Sequence, residues 1–123
     1  MTEKPKPAPM HRRQWRDFRT AVGGRPVNDF LETLTDEELA EVVAAMKEVA
    51  VEGLSAAKHL RRDLYEVRAE AESRSFRIVF SAEGRFSQVL LSLSGFTKKT
   101  QKTPRKELEL AETRLADWRA RGS

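Results

Sequence analysis

Leu39, Val42, Val43, Met46, Val49 and Ala50 recur at steps of three and four residues and lay one apolar stripe along a helix that ends near Gly53. Ahead of that stripe, Thr35-Asp36-Glu37-Glu38 has the spacing of a capping box, in which the threonine hydroxyl accepts the amide of Glu38 and the glutamate reaches back. The acidic first turn also suits the positive end of the helix dipole. Upstream, Gln14 to Thr20 mixes aromatics with alternating charge and predicts one short strand, broken at Gly23-Gly24. Pro26 then opens a short helical segment whose buriable residues are Phe30, Leu31 and Leu34.

After a connector around Ser55 to Arg62 the period changes to two. In Leu64 to Ala69, Tyr65 and Val67 share one face while Glu66 and Arg68 share the other; in Ser75 to Phe80, the apolar Phe76, Ile78 and Phe80 oppose Arg77 and Val79. Glu83-Gly84-Arg85 forms a hairpin turn, and Val89-Leu90-Leu91 is apolar on both faces, as an interior strand is. Thr97 to Thr103 reads as a polar, basic loop, Thr103-Pro104 as the cap and start of a last helix striped by Leu108, Ala111, Leu115 and Trp118. The order β-α-α-β-β-β-α predicts an α+β domain over residues 13–122, an antiparallel sheet of about four strands with two N-terminal helices and one C-terminal helix packed on one face. Residues 1–12, with prolines at 5, 7 and 9, read as a disordered lead.

Composition narrows the chemistry. The chain has 123 residues, 39% hydrophobic and 34% charged, enough for one modest core. It contains no cysteine and two histidines, His11 and His59, which removes disulfides, thiolate sites, cysteine nucleophiles and histidine-rich metal sites and points to a reducing cytoplasm. No segment reads as a membrane span or secretory signal. The net charge of +4 hides a pattern: +5 over residues 1–28, −7 over 29–57 and +6 over 58–123. An acidic middle between basic ends implies separate faces of opposite sign, the basic one suited to a phosphate polyanion. The acidic stretch Asp29 to Glu52 is expected to face away from that groove, as a solvated face or a partner surface.

Arg68 and Arg77 each sit mid-strand and point away from the aromatic core positions, so neighbouring strands set the two guanidiniums side by side on the face expected to be free of helices. Like charges directly opposed destabilise a sheet, and the planar guanidinium fork suits bidentate contact with phosphate. The structural reading of the same residues is that Glu66 neutralises one arginine in an ordinary cross-strand pair. Lys98, Lys99, Lys102, Arg105 and Lys106 cluster at the end of the last strand and the start of the last helix, where they are solvated loop charges or anion contacts. Lys58, His59, Arg61 and Arg62 form a further basic cluster before the strands. Trp15, Phe18 and Trp118 read as core or interface aromatics. The acidic residues are placed on helix faces, and no phosphate-binding glycine loop, catalytic triad or paired-carboxylate site is present. Any catalysis therefore falls to arginine and lysine.

Leu64-Tyr65-Glu66-Val67-Arg68, Phe76-Arg77-Ile78-Val79-Phe80 and the run Leu93-Ser94-Gly95-Phe96-Thr97-Lys98-Lys99-Thr100-Gln101-Lys102-Thr103-Pro104 resemble the phage-derived branch of the RelE/HigB-like toxins, over roughly residues 14–121. The resemblance implies a compact RelE-like, microbial-ribonuclease-type fold. It also implies the toxin of a type II toxin–antitoxin pair: a cytoplasmic, metal-independent mRNA endoribonuclease that acts on the ribosome without a cofactor. Its expected partners are mRNA and a cognate antitoxin, often of helix-turn-helix type, bound in a hetero-oligomer. By position, Arg68 and Arg77 match the family's phosphate-contacting sheet arginines. Lys98 and Lys99 match basic residues at the end of the last strand, and Lys58, with His59, falls where relatives place basic residues before the strands. His59, Arg61, Arg62, Lys102, Arg105 and Lys106 are the implied RNA contacts. The final helix lacks the tyrosine or histidine that some members carry for proton transfer, which leaves the general base open; a lysine crowded by other cations (Lys58, Lys98 or Lys99) is able to handle protons there. Readings from other classes on the same residues are a ParE-like gyrase inhibitor that cuts no RNA, and a nucleic-acid-binding module without toxicity.

Overall fold

The computed structural model describes residues 13–122, so the proline-rich lead lies outside the described residues. The elements run β1 (Gln14–Asp17), α1 (Pro26–Glu32), α2 (Asp36–Glu52), β2 (Lys58–Arg61), β3 (Leu64–Glu70), β4 (Ser75–Glu83), β5 (Val89–Thr97) and α3 (Arg105–Ala120), with single 3-10 turns at Leu54–Ala56 and Arg85–Ser87. The five strands form one sheet in the order β1-β5-β4-β3-β2. The fold is α+β as expected, with one strand more than the sequence predicts. The extra strand, β2, lies within the stretch read as a connector and pairs antiparallel with β3. The sheet is also mixed: β1 runs parallel to β5, while the other pairs are antiparallel.

The capping box forms: the Thr35 hydroxyl accepts the Glu38 amide at 3.1 Å and the Glu38 carboxylate accepts the Thr35 amide at 3.0 Å. Arg74, in the β3–β4 turn, adds a two-pronged contact to the same carboxylate at 2.7 and 2.8 Å, tying the hairpin tip to the start of α2. This environment, led by the Arg74 hydrogen bonds and supported by the Thr35 amide, holds the Glu38 carboxyl at about 2. Below the cap, Val42 and Val49 are fully buried and pack with Val27 of α1 on Val67, Phe76, Ile78, Phe80 and Leu90. Trp15 of β1 meets Phe80 edge-on at 4.9 Å, and its indole N–H donates to the Met46 carbonyl at 2.7 Å.

The helices do not share one face. Helix α3 crosses the opposite side of the sheet, where Ala111 and Leu115 pack on Phe18, Leu64, Val79, Leu91 and Leu93. Arg119 clamps it to β4 through Glu83 at 2.8 and 2.9 Å. A bulge in the β4–β5 ladder, where Val79 pairs with Ser94 but Phe80 with Ser92, inserts Leu93 as an extra residue. Beyond the bulge the alternation of β5 reverses, so Gly95 turns toward α1. A Cβ on Gly95 would lie 2.6 Å from a ring carbon of Phe30 and 3.1 Å from Ile78, so the missing side chain is what lets α1 sit down on the sheet.

Candidate active site

Arg68 on β3 and Arg77 on β4 are direct register partners, with Phe96 of β5 next in the row. The adjacent row runs Lys58, Glu66, Val79, Ser94 across four strands. Both rows project from the sheet face that α3 covers, not from a bare face. That cover separates the two arginines: the Arg68 side chain is 46% exposed, that of Arg77 only 5%.

Glu66 is the centre of the arrangement and is itself 2% exposed. Its Oε1 accepts from Arg77 Nε at 2.9 Å and lies 3.8 Å from Arg68 Nε. Its Oε2 accepts from the Thr103 hydroxyl at 2.8 Å. Thr103, expected to cap α3, does not do so: the cap position is Pro104, no side chain caps the helix, and the hydroxyl donates to Glu66 instead. Arg77 also donates from Nη1 to the Phe76 carbonyl at 2.9 Å and comes within 3.5 Å of Glu70. Buried charges persist only when paired and hydrogen-bonded in this way. Arg77 is thus committed to the framework, while Arg68, backed by the same carboxylate, presents its guanidinium outward.

Two strand carboxylates therefore stand among the cations: Glu66, expected as the ion-pair partner of an arginine, and Glu70, for which the sequence suggests no role. Glu70, at the end of β3, is 63% exposed on the rim. A hydrogen bond from the Ser75 hydroxyl, with the charges of Arg77 and Lys98 behind it, holds its carboxyl below the ordinary 4.5. The signal was present in the sequence, since Glu66, Arg68 and Glu70 share one strand face by parity; what it lacked was the identity of the neighbours. Lys98 begins the loop after β5, its amide donating to the Ser75 carbonyl at 2.8 Å, and Lys99 follows it exposed. Lys58 stands exposed opposite Glu66 on the edge strand. Arg68, Arg77, Lys58, Lys98 and Glu70 thus gather around one carboxylate and its rim.

The remaining candidates are placed differently. The exposed His59 faces the other side of the sheet, its ring 5.0 Å from Tyr65 and its Nε2 donating to the Arg62 carbonyl at 2.7 Å. Arg61 and Arg62 both bind Glu112 of α3, Arg62 at 3.0 Å. Arg105 pairs with Glu109 at 2.9 Å, one turn on, and Lys102 and Lys106 are exposed. Arg61, Lys102 and Arg105 line a cleft with Thr103 and Leu108, next to Glu66, so they form a basic approach rather than part of the arginine row. The acidic α2 lies across the sheet from this approach. Among the described residues, no group of three or more His, Asp or Glu side chains is placed to hold a metal ion, and no helix is long and apolar enough to cross a membrane.

What the arrangement can do chemically is clamp an anion against Arg68 and the lysines, with an ionised carboxylate beside it. Residues 29–116 match the family model described as phage derived protein Gp49-like (DUF891). Over 118 residues, 94% of this chain and 92% of the relative, the sequence is 33% identical to "Probable endoribonuclease HigB1" of Mycobacterium tuberculosis, in the strains CDC 1551 / Oshkosh and H37Rv. The match spans the strand motifs, the lysine loop and α3 together, and on it the chain belongs to the phage-derived Gp49-like (DUF891) family, in the HigB-like branch of the toxins that its motifs resemble.

Proposed function

We propose that this protein is the toxin of a type II toxin–antitoxin pair and that it cleaves mRNA on the ribosome without a metal ion. The single observation that carries the reading is the exposed Arg68 standing over the buried Arg77–Glu66 pair, with Lys98, Lys99 and Lys58 at the rim. The name of the M. tuberculosis relative, an endoribonuclease, supports the same class.

RNA cleavage of this type needs the ribose 2′-hydroxyl deprotonated, its oxygen delivered in line to phosphorus, the phosphorane charge stabilised and the departing 5′-oxygen protonated. Arg68 supplies the charge stabilisation from a fixed position, which is commonly the largest share of such catalysis. Arg77 acts from below, holding Glu66 and Glu70 in place. Glu70, ionised and beside the cations, accepts the 2′-hydroxyl proton; Lys98, its neighbour, gives a proton to the 5′-oxygen. The products are a 2′,3′-cyclic phosphate and a 5′-hydroxyl. Lys99, Lys102, Arg105 and Lys106 hold the flanking backbone, and Thr103 anchors their loop to Glu66. A cognate antitoxin neutralises the toxin in a hetero-oligomer.

The experiment is 5′-end mapping of a defined mRNA on purified ribosomes with and without the protein. Ribosome-dependent cuts ending in cyclic phosphate support the reading. Growth arrest with a DNA-damage response and intact mRNA assigns the protein to gyrase inhibition instead, and RNA binding with neither effect assigns it to a binding module.

A further inference from the structure

A second cluster of guanidiniums lies at the other end of α3, and no step of the proposed cleavage uses it. Arg16, Arg19, Arg25 and Arg121 line one open cleft together with Asp17 and Trp118. All four arginines fall outside residues 29–116, the stretch matched by the family model. Helix α3 has 16 residues, so the cleft at its C-terminal end is about 24 Å from the Thr103–Glu66 contact at its start.

The four guanidiniums are not equally committed. Arg25 binds the Asp17 carboxylate with two nitrogens at 2.6 and 3.0 Å, and the other oxygen of Asp17 accepts from Ser92. Arg121 pairs with Asp117 at 3.1 Å, donates to the Arg19 carbonyl at 2.6 Å and lies over the Phe18 ring. The Arg16 and Arg19 guanidiniums have no ion-pair partner among the described residues and are exposed. Both paired arginines are thereby fixed in place, while two more stand exposed beside them and the indole of Trp118 adds an aromatic wall. The cleft has too few carboxylates among the described residues to neutralise it, and its exposed arginines are strung along edge strand β1 and the chain that leaves it instead of converging on one buried point. That spread suits repeated phosphates on a backbone better than a single small anion.

We infer that Arg16, Arg19, Arg25 and Arg121 form a second RNA-docking site, which grips the phosphodiester backbone of a folded RNA away from the cleavage face. The inference goes beyond cleavage, since it concerns where RNA is held and not where it is cut.

The test is fluorescence anisotropy of a labelled, 2′-O-methylated RNA hairpin, which cannot be cleaved, titrated with the full chain over a salt series. The double variant Arg16→Ala/Arg19→Ala, with a wild-type melting temperature, is expected to bind roughly tenfold more weakly and to lower the salt slope by about 1 to 2. Lys47→Ala on α2 serves as a control for loss of one surface charge and is expected to bind as wild type. Wild-type affinity and slope in the double variant overturn the inference and leave the cleft to an acidic protein partner; absence of hairpin binding by the wild-type chain overturns it too. The outcome is independent of the cleavage reading: a protein that cuts no ribosomal mRNA but loses hairpin affinity with Arg16 and Arg19 keeps this site and loses that function.

Discussion

Arg68 and Arg77 face each other directly across β3 and β4, yet the first is 46% exposed and the second 5% exposed. The pair resolves the like-charge problem by dividing the work: Arg77 turns inward to Glu66 at 2.9 Å, and Arg68 turns out toward solvent. The cross-strand ion pair expected with Glu66 is present on Arg77, which leaves Arg68 as the arginine whose guanidinium is open to an anion.

This division predicts different costs for the same substitution. Arg77→Ala leaves Glu66 buried without its main partner and is expected to destabilise the fold by about 3–5 kcal/mol, read as a fall in the denaturation midpoint. Arg68→Ala removes an exposed side chain and is expected to change stability by about 0.5 kcal/mol or less. A midpoint for Arg77→Ala equal to that of Arg68→Ala would show that Glu66 does not depend on Arg77.

Acid conditions test the clamp on α2. The Glu38 carboxyl sits at about 2 against an ordinary 4.5, so its contribution to stability is complete above pH 4.5 and is lost as pH falls from there toward 2. Thermal melts between pH 2 and 6 are expected to show that loss in the wild-type chain and a smaller one in Arg74→Ala, which lacks the principal cause of the shift. Parallel curves for the two proteins would remove Arg74 from the account.

Glu70 gives the reaction its acidic limit. With its carboxyl held below 4.5 its protonation moves to lower pH, so the midpoint of the acidic limb of cleavage is expected below pH 4.5. Single-turnover rates across pH measure this. Glu70→Gln, which keeps the shape but cannot accept a proton, is expected to slow cleavage by about 10²–10⁴-fold at neutral pH. Undiminished cleavage in that variant would return the base role to a lysine.

Packing between α1 and the sheet is set at Gly95. Gly95→Ala places a methyl 2.6 Å from Phe30 and is expected to cost about 1–3 kcal/mol. Adding Phe30→Leu is expected to recover part of that, a coupling measurable in a double-mutant cycle. Strict additivity would mean that the helix shifts as a body and does not rest on this contact.

Much of this was written in local pattern. The capping box at Thr35 and Glu38, the α2 stripe, the period-two strands β3 and β4 and the apolar run of β5 follow from spacing alone, because each is decided by neighbours within a few residues. The side-by-side arginines followed from strand parity. Strand β2 is not legible in the sequence because Lys58-His59-Leu60-Arg61 is short, polar and bulged, and pairs only because β3 offers an edge. The side of the sheet that α3 covers depends on the path of the loop before it, which no periodicity records. That choice buries Arg77, draws Thr103 to Glu66 and takes Arg61 and Arg62 into pairs with Glu112. Glu66 and Glu70 were visible as strand residues, but their roles come from long-range neighbours, as do those of the arginines near Trp118.

The central claim is that Arg68 stabilises the phosphorane during cleavage of mRNA on the ribosome. The direct measurement is the rate of cutting of a defined ribosome-bound mRNA by wild type, Arg68→Ala and Arg68→Lys, each verified as folded. The account predicts that Arg68→Ala cuts about 10²–10³-fold more slowly at the same sites, with Arg68→Lys in between. Equal rates for wild type and Arg68→Ala would contradict it.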